Sequence, residues 1–317
     1  MGLSVIIPCH NVAEFITEAV FSLGSLDRPD IELIFVDDAS TDQTGTLLER
    51  VRARHSSVSI LTHSLNQGVA SARNTGIDAA QGRYIAFLDA DDFVAVGYFE
   101  ELLRQAERLG CDFLRTDHVR VSGRKRTIER VPFGPRGTRC DPRSGILPVD
   151  RKTSVDYPYP WAGIYSRRLF ERGLLHFTAG LHTCEDRAWN WRLHLRAESF
   201  AVVGLTGVFY RRGTAHSLTA ITDPRQFDFI PAFDQIVEDV LTDPDADRLL
   251  PKALRSFRAM MCYHLKRLPD YQAGHADTLR TLCRTAADKL PREPFRMVIA
   301  DLDPVRRAQM TDLVGRG

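Results

Sequence analysis

The sequence lacks the features that mark membrane, secreted and metal-thiolate proteins. None of its apolar runs approaches the ~18 residues needed to span a bilayer. Its first residues, MGLSVIIPCHN, have neither the basic segment nor the long apolar segment of a signal peptide. Its six cysteines form no C-x-x-C pair, so neither a zinc site nor a dense disulfide framework is indicated. We expect a cytoplasmic protein without a transmembrane segment, with peripheral association at the inner face of the membrane left open.

The sequence also lacks an excess of charge of either sign. Its 317 residues include 42 Lys and Arg and 41 Asp and Glu, which gives a formal net charge of +1. A near-neutral balance argues against a general binder of nucleic acid, although it is compatible with a local basic patch. The length suits about two domains at ~100–200 residues per domain. The 44% of hydrophobic residues is enough for an ordinary core, so we expect a globular protein.

Short apolar runs alternate with amphipathic segments over residues 1–120. The runs are predicted to be strands: LSVIIP, IELIFVDD, VSILTH, YIAFLDADD and CDFLRTDHVRV. Nearly continuous apolar strands that alternate with helices are typical of a doubly wound, mostly parallel sheet with helices on both faces. We predict this α/β fold for residues 1–222, in two halves of about 1–120 and 121–222, followed by a helical C-terminal region over 223–317.

Two acidic clusters follow predicted strands. Asp37 and Asp38 end the second strand. The fourth ends with Asp89, Asp91 and Asp92. In open α/β sheets ligands bind beyond the carboxyl ends of the strands, so both clusters should lie at the edge of a ligand crevice. Like charges this close repel each other and are costly to desolvate, which predicts either solvated turns or a bound cation.

No glycine-rich phosphate loop follows the first strand. A dinucleotide site would need G-x-G-x-x-G there, but the sequence reads PCHNVAEF, and it contains no P-loop. A diphosphate can instead be held by a divalent cation between carboxylates, because Mg²⁺ and Mn²⁺ suit Asp and phosphate oxygens. In the D-x-D pattern, one of Asp89 and Asp91 can face a ribose and the other the metal. We therefore predict a metal–diphosphate clamp that uses Mn²⁺ or Mg²⁺.

Several ordered motifs resemble those of the family 2 glycosyltransferases, which have the GT-A fold. They are SVIIPCHN, VDDASTD, NQGVASARNTG, YIAFLDADD, YPWAGIYSRRLFERGLLHF, HTCEDRAWNWRLHLRAESFAVV and VFYRRGTAHSLT. The resemblance covers residues 3–220, whereas residues 225–317 carry no motif of the family. It implies an inverting, metal-dependent enzyme that moves a sugar from a nucleotide diphosphate donor to a saccharide or cell-surface glycopolymer. The donors expected from it are UDP-linked hexoses or N-acetylhexosamines.

The resemblance assigns donor-binding roles to residues near the first two strand ends. Pro8, His10 and Asn11 would line the nucleotide site. Asp37 or Asp38 would accept the N3–H of a uracil or thymine ring, which a charged carboxylate does well. The sequence leaves the choice between these two carboxylates open.

Further donor and metal ligands are implied in the later motifs. Arg73 would lie near the base or the phosphates, with an exposed helix arginine as the alternative. Asp89 and Ala90 would contact the donor at its ribose, and Asp91 would bind the metal. His216, in RRGTAHSLT, would complete the metal shell or contact the diphosphate, with a surface histidine as the alternative.

The acceptor side takes its candidates from CEDRAWNW and YPWAGIY. A sugar hydroxyl is a poor nucleophile until its proton is removed, so an inverting transferase needs a general base. The resemblance assigns this role to Asp186, with Glu185 and Trp161 as acceptor-binding residues. A position at a helix start would favour the ionised form of Asp186 and lower its pKa, which would weaken it as a base.

The sequence departs from the processive members of the family. It has no Q-x-x-R-W motif and no membrane helices, so we expect a single-addition enzyme or one that acts on a pre-made polymer. Residues 120–145, RVSGRKRTIERVPFGPRGTRCDPRSG, are rich in Arg, Gly and Pro and are predicted to form a long loop. Its positive charge would suit an anionic acceptor, such as a phosphate-bearing polymer or a lipid-linked saccharide. A solvated, mobile loop is the alternative.

The segment PKALRSFRAMMCYHLKRL in the C-terminal region reads as a basic amphipathic helix. Its apolar positions are Leu254, Phe257, Met261, Leu265 and Leu268, and its basic positions are Lys252, Arg255, Arg258, Lys266 and Arg267. Such a helix can pack on the rest of the chain, contribute to a homo-oligomer, or lie on an anionic membrane or an acceptor. We favour packing and leave the other roles open.

Two other functions are compatible with parts of the pattern. A sugar-nucleotide pyrophosphorylase has a similar fold and uses a metal, but it would need a Gly-rich loop with Arg and Lys where this sequence has PCHNVAEF. An inactive glycan- or nucleotide-sugar-binding protein would have lost the metal or base carboxylate, yet Asp89, Asp91 and Asp186 are present. A glycosyltransferase is therefore the first prediction.

Overall fold

A computed structural model describes residues 1–24, 29–213 and 221–314, which form one β-sheet with flanking helices and a helical C-terminal region. The strands are β1 (Leu3–Cys9), β2 (Ile31–Asp37), β3 (Val58–Thr62), β4 (Tyr84–Phe87), β5 (Phe93–Val94), β6 (Phe113–Ser122), β7 (Lys125–Glu129), β8 (Gly163–Ser166) and β9 (Phe200–Arg211). The helices are α1 (Ala13–Ser22), α2 (Thr44–Arg52), α3 (Val69–Ala79), α4 (Tyr98–Leu109), α5 (Arg167–Glu171), α6 (Glu185–Arg196), α7 (Phe229–Leu241), α8 (Ala246–Lys266), α9 (Ala273–Lys289), α10 (Arg292–Ala300) and α11 (Pro304–Val314).

The first four strands form the parallel part of the sheet. β1 pairs in parallel with β2 on one side and with β4 on the other, and β3 pairs in parallel with β2. Parallel neighbours need crossover connections, which α1, α2 and α3 supply. Every residue of β2 is buried, as expected of a strand covered on both faces. The predicted α/β fold is thereby confirmed.

Beyond β4 the sheet contains more antiparallel pairing than the sequence indicated. The described strands follow the order β3–β2–β1–β4–β8–β6–β9–β5, and β7 pairs with β6 outside this path. All of the antiparallel pairs involve β5, β7 or β8. These strands are short, with two to five residues each, so the sequence carries little periodic signal for them.

The acidic stretch after β4 is a turn rather than the end of a strand. β4 ends at Phe87, and Leu88 still donates to the carbonyl of Ile6 at 3.0 Å. Residues 89–92 then leave the ladder before β5 begins. The predicted strand was therefore too long at this end, and the turn places the three acids at the carboxyl edge of β1 and β4.

Residues 120–145 do not form a single long loop, so that prediction was wrong. β6 continues to Ser122, the chain turns at Gly123 with a left-handed φ of 55°, and β7 returns along β6. A short 3₁₀ helix follows at Pro142–Gly145. Several Arg and Lys side chains of the hairpin are exposed. Loops are also rich in exposed, charged residues, so composition alone did not distinguish this hairpin from a loop.

Helices α7–α11 surround a second hydrophobic core. The apolar α8 side chains of Leu254, Phe257 and Met261 are buried in it, as the amphipathic pattern predicts. The same core includes Trp191 and Leu195 of α6. The C-terminal helices therefore pack against a helix that lies between strands β8 and β9 in the chain.

Basic residues of α8 also make contacts inside the molecule. Lys252 is buried, pairs with Asp156 at 2.5 Å and donates to the Arg151 carbonyl at 2.7 Å. Arg258 is buried and donates to the carbonyl of Val298. These contacts favour packing for this helix over a membrane-facing role. None of the helices in the described ranges has the length and apolarity to cross a membrane.

A second polar clamp joins the C-terminal helices to the rest of the chain. Both Nη atoms of Arg143 donate to the Asp243 carboxylate, each at 2.7 Å, and Nη2 also donates to the Leu195 carbonyl at 3.2 Å. The Asp243 side chain is fully buried. The 3₁₀ helix at Pro142–Gly145 is thus held to the connection between α7 and α8.

Gly76→Ala is expected to destabilise the protein by up to about 2 kcal/mol. A Cβ at Gly76 of α3 would lie 2.3 Å from Cγ2 of Ile6 in β1. Ala favours an open helix position over Gly by about 1 kcal/mol, but overpacking a tight contact costs about 1–3 kcal/mol. Urea-induced unfolding of the variant and the native protein would measure the difference.

Gly274→Ala on α9 is the matched control, because no atom lies within 4 Å of the added methyl. This variant should be as stable as the native protein or slightly more stable. A Gly76→Ala protein with native stability would show that α3 can move away from β1 without cost.

Candidate functional site

The loops that follow β1 and β2 are tied together at the carboxyl edge of the sheet. Asn11 has a left-handed φ of 52°, a region that asparagine tolerates better than most residues. Its Oδ1 accepts from the Thr41 amide at 2.8 Å, and its own amide donates to Ser40 Oγ at 3.0 Å. These contacts join the PCHN and DDASTD motifs into one rim at the carboxyl edge of the sheet.

His10 and Pro8 lie on the same rim. Nδ1 of His10 is 2.8 Å from the Asp38 carbonyl, which can only accept, so Nδ1 carries the proton. Its Nε2 is then the acceptor for Asn11 Nδ2 at 3.2 Å. Pro8 lies beyond Ile6, the last β1 residue that pairs with β4, so its missing N–H costs the sheet no bond to β4.

Asp37 and Asp38 have different hydrogen-bonding roles. Oδ1 of Asp38 accepts from the Gln67 amide at 2.9 Å, and Oδ2 accepts from the Gly68 amide at 2.8 Å. Both of its oxygens therefore hold the loop before α3. Asp37 is also buried, and Ser40 donates its amide to Oδ1 at 3.0 Å. Of the two carboxylates, Asp37 is the less committed to the protein.

Arg73 of α3 is a buried bridge and not an exposed helix arginine. It is 4% exposed; Nη1 donates to Glu185 Oε1 at 2.8 Å, and Nη2 donates to Asp89 Oδ1 at 2.9 Å. Its guanidinium carbon lies 5.2 Å from the centre of the Phe177 ring. Burial alone would lower the pKa of Arg73, but the charges of Asp89 and Glu185 raise it. Arg73 thus joins the D-x-D turn to α6.

The three acids of the turn have different environments. Asp89 is partly exposed and paired with Arg73. Asp91 is half-buried, and burial together with the charge of Asp89 raises its pKa to about 6. Asp92 is fully buried; its Oδ1 accepts from the Arg211 amide at 2.7 Å, which ties the turn to the end of β9. Burial and the charges of Asp91 and Asp89 raise the pKa of Asp92 well above its usual range.

The first turn of α6 carries the Glu-Asp pair. Glu185 is buried against Arg73, whereas Asp186 is half-buried and forms no ion pair with a Lys or Arg of the described residues. Burial raises the pKa of both carboxyls, and on Glu185 the charge of Asp186 adds to this effect. The lowered pKa expected for Asp186 at a helix start is therefore wrong, because the cost of burying its charge exceeds the effect of the helix dipole.

Trp161 is buried within an aromatic cluster. It is 2% exposed, and its ring centre lies 4.9 Å from that of His118, 4.9 Å from that of Tyr159 and 5.0 Å from that of Tyr210. An acceptor could reach Trp161 only if this packing opened. Tyr159 is half-buried, and burial and the charge of Asp186 raise its pKa. The aromatic surface near Asp186 is that of Tyr159, with Tyr210 beside it.

The D-x-D turn suits a divalent cation that a ligand also coordinates. The raised pKa of Asp91 and the unpartnered, buried Oδ2 of Asp92 both indicate a local excess of negative charge. Within the described ranges, no three His, Cys, Asp or Glu side chains could enclose a metal ion by themselves. Mg²⁺ is commonly held by one or two carboxylates together with substrate phosphates. The turn therefore fits a cation whose coordination a diphosphate completes.

Two other predicted site positions, Ala90 and His216, provide no ligand contact in the described residues. Ala90 lies between Asp89 and Asp91 and is 3% exposed, so its side chain offers almost no surface to a ligand. His216 lies outside the described residues.

Sequence reasoning missed several residues that shape the site. Asn74 holds Phe177 beneath Arg73: its Nδ2 donates to the Phe177 carbonyl at 2.9 Å, and its Oδ1 accepts from the Phe177 amide at 2.8 Å. The position of Asn74 inside the predicted helix could have indicated this contact, because Asn side chains in helices often hydrogen-bond to backbone groups outside the helix. Tyr159 and Tyr210 were missed because nothing local distinguishes a site tyrosine from a core one.

A sequence model described as Glycosyl transferase family 2 matches residues 4–174 of the chain. The matched residues run from β1 through α5 and include the D-x-D turn and Arg73. Glu185 and Asp186 of α6 lie beyond the matched residues.

Two curated proteins are similar to the chain. EpsJ of Bacillus subtilis, an uncharacterized glycosyltransferase, is 33% identical over 220 residues, which are 69% of this chain and 63% of EpsJ. TarS of Staphylococcus aureus, a poly(ribitol-phosphate) beta-N-acetylglucosaminyltransferase, is 25% identical over 231 residues, which are 72% of this chain and 39% of TarS. The chain thus spans less than two thirds of each of these relatives.

Solved structures show the same fold over nearly the whole chain. The complex of Staphylococcus aureus TarS 1-349 with UDP-GlcNAc has a TM-score of 0.78 at 19% identity and covers 99% of this chain and 88% of that one. A mannosyltransferase from Pyrobaculum calidifontis, in complex with GDP-Man and Mn²⁺, has a TM-score of 0.56 at 16% identity and covers 98% and 83%. The likeness in fold includes the C-terminal helices, which carried no recognised motif.

Asp91→Asn is expected to stabilise the metal-free protein near pH 8 but not near pH 4. Folding raises the pKa of this carboxyl from 3.8 to about 6, so the native state binds its proton more tightly than the unfolded state. The stability that the group contributes is full below pH ~4 and is lost as the pH rises through about 6. Removing the charge should recover about 3 kcal/mol near pH 8, at about 1.4 kcal/mol per pKa unit.

Urea-induced unfolding in EDTA at the two pH values would measure this gain. Asp288→Asn, on the exposed face of α9, is the matched control and should change stability little at either pH. An equal gain in both variants, or a gain for Asp91→Asn that persists near pH 4, would contradict the argument.

Proposed function

The chain belongs to glycosyl transferase family 2, and we propose that it transfers a sugar from a nucleoside diphosphate donor to a hydroxyl group of a saccharide or glycopolymer, with inversion at the anomeric carbon. The family assignment favours this reaction over the pyrophosphorylase alternative. The remaining alternative is a protein that binds a nucleotide sugar without transferring it. Such a protein would bind UDP but release no UDP from UDP-sugars.

One observation carries the proposal: Arg73 bonds to both Asp89 and Glu185. These carboxylates come from the turn after β4 and from the first turn of α6, which are far apart in the chain. The bridge brings the candidate donor site and the candidate base, Asp186, to the same edge of the sheet. A transferase needs this arrangement, because its two substrates must meet at one carbon atom.

UDP-linked sugars are the proposed donors. The TarS structure that shares this fold is a complex with UDP-GlcNAc. We assign the contact with the uracil N3–H to Asp37, since the oxygens of Asp38 are already occupied by amides of the protein. His10, Asn11 and Pro8 form the rim on which the nucleotide would lie. Asp89, held by Arg73, is the proposed partner of the ribose.

Asp91 is the proposed metal ligand, with the donor diphosphate as the other partner of the ion. A bound Mn²⁺ or Mg²⁺ supplies positive charge that stabilises the departing diphosphate. Asp92 holds the turn in place through the Arg211 amide. Burial and the charge of Asp89 raise the pKa of Asp91, and a bound cation would offset both effects.

Asp186 is the proposed general base. Its carboxylate takes the proton of the acceptor hydroxyl while that oxygen bonds to the anomeric carbon and the bond from this carbon to the diphosphate breaks. Burial raises the pKa of Asp186, which makes it a better proton acceptor near neutral pH. Glu185 is less suited to the task because Arg73 holds it. Its proposed role is to orient the acceptor side.

UDP should bind at least about tenfold more tightly with Mn²⁺ or Mg²⁺ than in EDTA, and Asp91→Asn should abolish this difference. The physical reason is that the ion would bridge the carboxylate and the diphosphate. Calorimetric titration of UDP, dTDP, GDP and CDP, each in the three solutions, would measure it. Asp288→Asn should behave like the native protein. Failure of all four nucleotides to bind would disprove the donor site.

Asp186→Asn should lower the rate of sugar transfer by about 100- to 10,000-fold, the usual contribution of a general base. Its affinity for UDP should stay within about twofold of the native value, because Asp186 lies on the acceptor side. Release of UDP from UDP-GlcNAc and other UDP-sugars, with and without saccharide acceptors, would measure the rate. UDP binding by a native protein that transfers no sugar would instead support the inactive binding protein.

A further inference from the structure

The β6–β7 hairpin concentrates positive charge in a chain that is otherwise almost neutral. Residues 120–130 include five Lys or Arg residues and one acid. Arg124, Lys125 and Arg126 at the turn are exposed, and no carboxylate of the described ranges pairs with them. Arg120 pairs with Glu129, the single acid, at 3.3 Å. The hairpin therefore presents a net excess of cations to solvent.

The hairpin is connected to the candidate site through β9. In the β6–β9 ladder Arg120 lies opposite Tyr210, and the Arg212 amide donates to the Val121 carbonyl at 2.9 Å. Residues that are two apart on a strand, or paired across it, project from the same face. Arg120 and Arg212 therefore project from the face on which Tyr210 joins the aromatic cluster.

Arginines and tyrosines pair along this surface. Arg212 Nη1 donates to the Tyr210 hydroxyl at 3.0 Å, and its guanidinium carbon lies 5.6 Å from the ring centre. Arg267, just after α8, makes the same pair with Tyr263 of α8, with a hydrogen bond of 3.0 Å and a distance of 5.4 Å from the guanidinium carbon to the ring centre. The hydrogen bond with Tyr210 raises the pKa of Arg212, and the nearby hydroxyls of Tyr159 and Tyr263 add to this effect.

Arg187 extends the cationic surface to the proposed base. It follows Asp186 in α6 and is half-buried, and no Asp or Glu of the part of the chain that the structure describes forms an ion pair with it. Burial alone would lower the pKa of Arg187, but the nearby Cys184 and Asp186 raise it, so a charged guanidinium lies beside the proposed base. The position of Arg187 therefore favours an anionic group on the acceptor, close to the hydroxyl that reacts.

We propose that the acceptor is an anionic polymer, a polyhydroxyl chain with phosphate or carboxylate groups at intervals. Arg187 binds the anionic group nearest to the reacting hydroxyl, and the hairpin binds groups farther along the chain. Tyr159, Tyr210 and Tyr263 offer ring faces to the sugar or polyol units between them. This inference rests on the proposed transfer reaction and specifies its acceptor.

The arrangement of charge favours a polymer over a membrane surface. Arg120 of the hairpin lies opposite Tyr210, and Arg187 and Arg212 both lie near Tyr159. These contacts link the exposed cations of the hairpin to the half-buried Arg187 in one series. A flat bilayer could reach only the exposed end of this series, whereas a flexible chain could follow all of it. A concentration of one charge sign beside the site would also attract a polyanion from a distance.

The triple variant Arg124→Gln/Lys125→Gln/Arg126→Gln should bind poly(glycerol phosphate) about tenfold more weakly than the native protein. Biolayer interferometry with immobilised poly(glycerol phosphate), polygalacturonate and neutral dextran would measure this. We expect the native protein to bind one or both anionic polymers and not dextran. Which of the two binds better identifies phosphate or carboxylate as the anionic group. Binding should weaken with added salt, because salt screens exposed charges over about 10 Å at 0.1 M.

The matched control is Arg280→Gln/Arg296→Gln/Arg306→Gln, which removes the same charge from exposed positions on the C-terminal helices. It should retain native binding within about twofold. An equal loss in the two triple variants would overturn the inference, and so would equal binding to dextran. Arg187→Gln is a second test: it should raise the KM for the anionic polymer about tenfold without changing the affinity for UDP.

Titration of UDP into the same proteins separates this inference from the proposed function. If UDP binds but neither anionic polymer does, the inference fails and the transferase proposal stands. If the polymers bind but no nucleotide does, the polymer is not an acceptor and both proposals fail. Vesicles that contain phosphatidylglycerol form the last arm. Binding to vesicles that is tighter than binding to polymer and depends on the hairpin would overturn the inference in favour of membrane docking.

Discussion

The buried guanidinium of Arg73 is the interaction on which the rest of the site depends. It holds Asp89 from the turn after β4 and Glu185 from α6 within hydrogen-bonding distance. Buried ion pairs are often no more stable than apolar packing, because desolvating the charges offsets their attraction. The main contribution of this triad is therefore geometric and not energetic. It fixes the distance between the turn that would hold the donor and the helix that carries Asp186.

The acids at the carboxyl edge of the sheet fall into two physical groups. Asp38 and Asp92 are buried and accept from backbone amides, so they fix the loops around them. Asp91 and Asp186 have fewer partners and raised pKa values, so their charges are costly without a ligand. The turn after β4 can carry three acids because Asp92 accepts from a backbone amide and Asp89 pairs with Arg73. The charge of Asp91 would be compensated by the proposed cation.

The sequence predicted the features that depend on local patterns. The apolar runs located β1 and β2, and the acids that follow the apolar runs of β2 and β4 were correctly predicted to lie at the carboxyl edge of the sheet. It could not predict contacts between distant segments: Glu185 is 112 residues from Arg73, and the burial of Trp161 depends on His118 and Tyr210. The hairpin was missed because its exposed, basic β7 shows none of the alternation that identifies a half-buried strand.

The clamps formed by Lys252 with Asp156 and by Arg143 with Asp243 have a consequence for how the chain unfolds and evolves. Separating the C-terminal helices from the rest of the chain would expose the hydrophobic core that they share with α6. It would also leave the buried side chains of Asp243 and Lys252 without their ion-pair partners. The two regions should therefore melt as one cooperative unit. Replacing one residue of either ion pair would leave a buried charge without a partner, so we expect the two positions of each pair to covary among relatives. We also expect the C-terminal helices and the sheet domain to evolve together and not to be exchanged between family members.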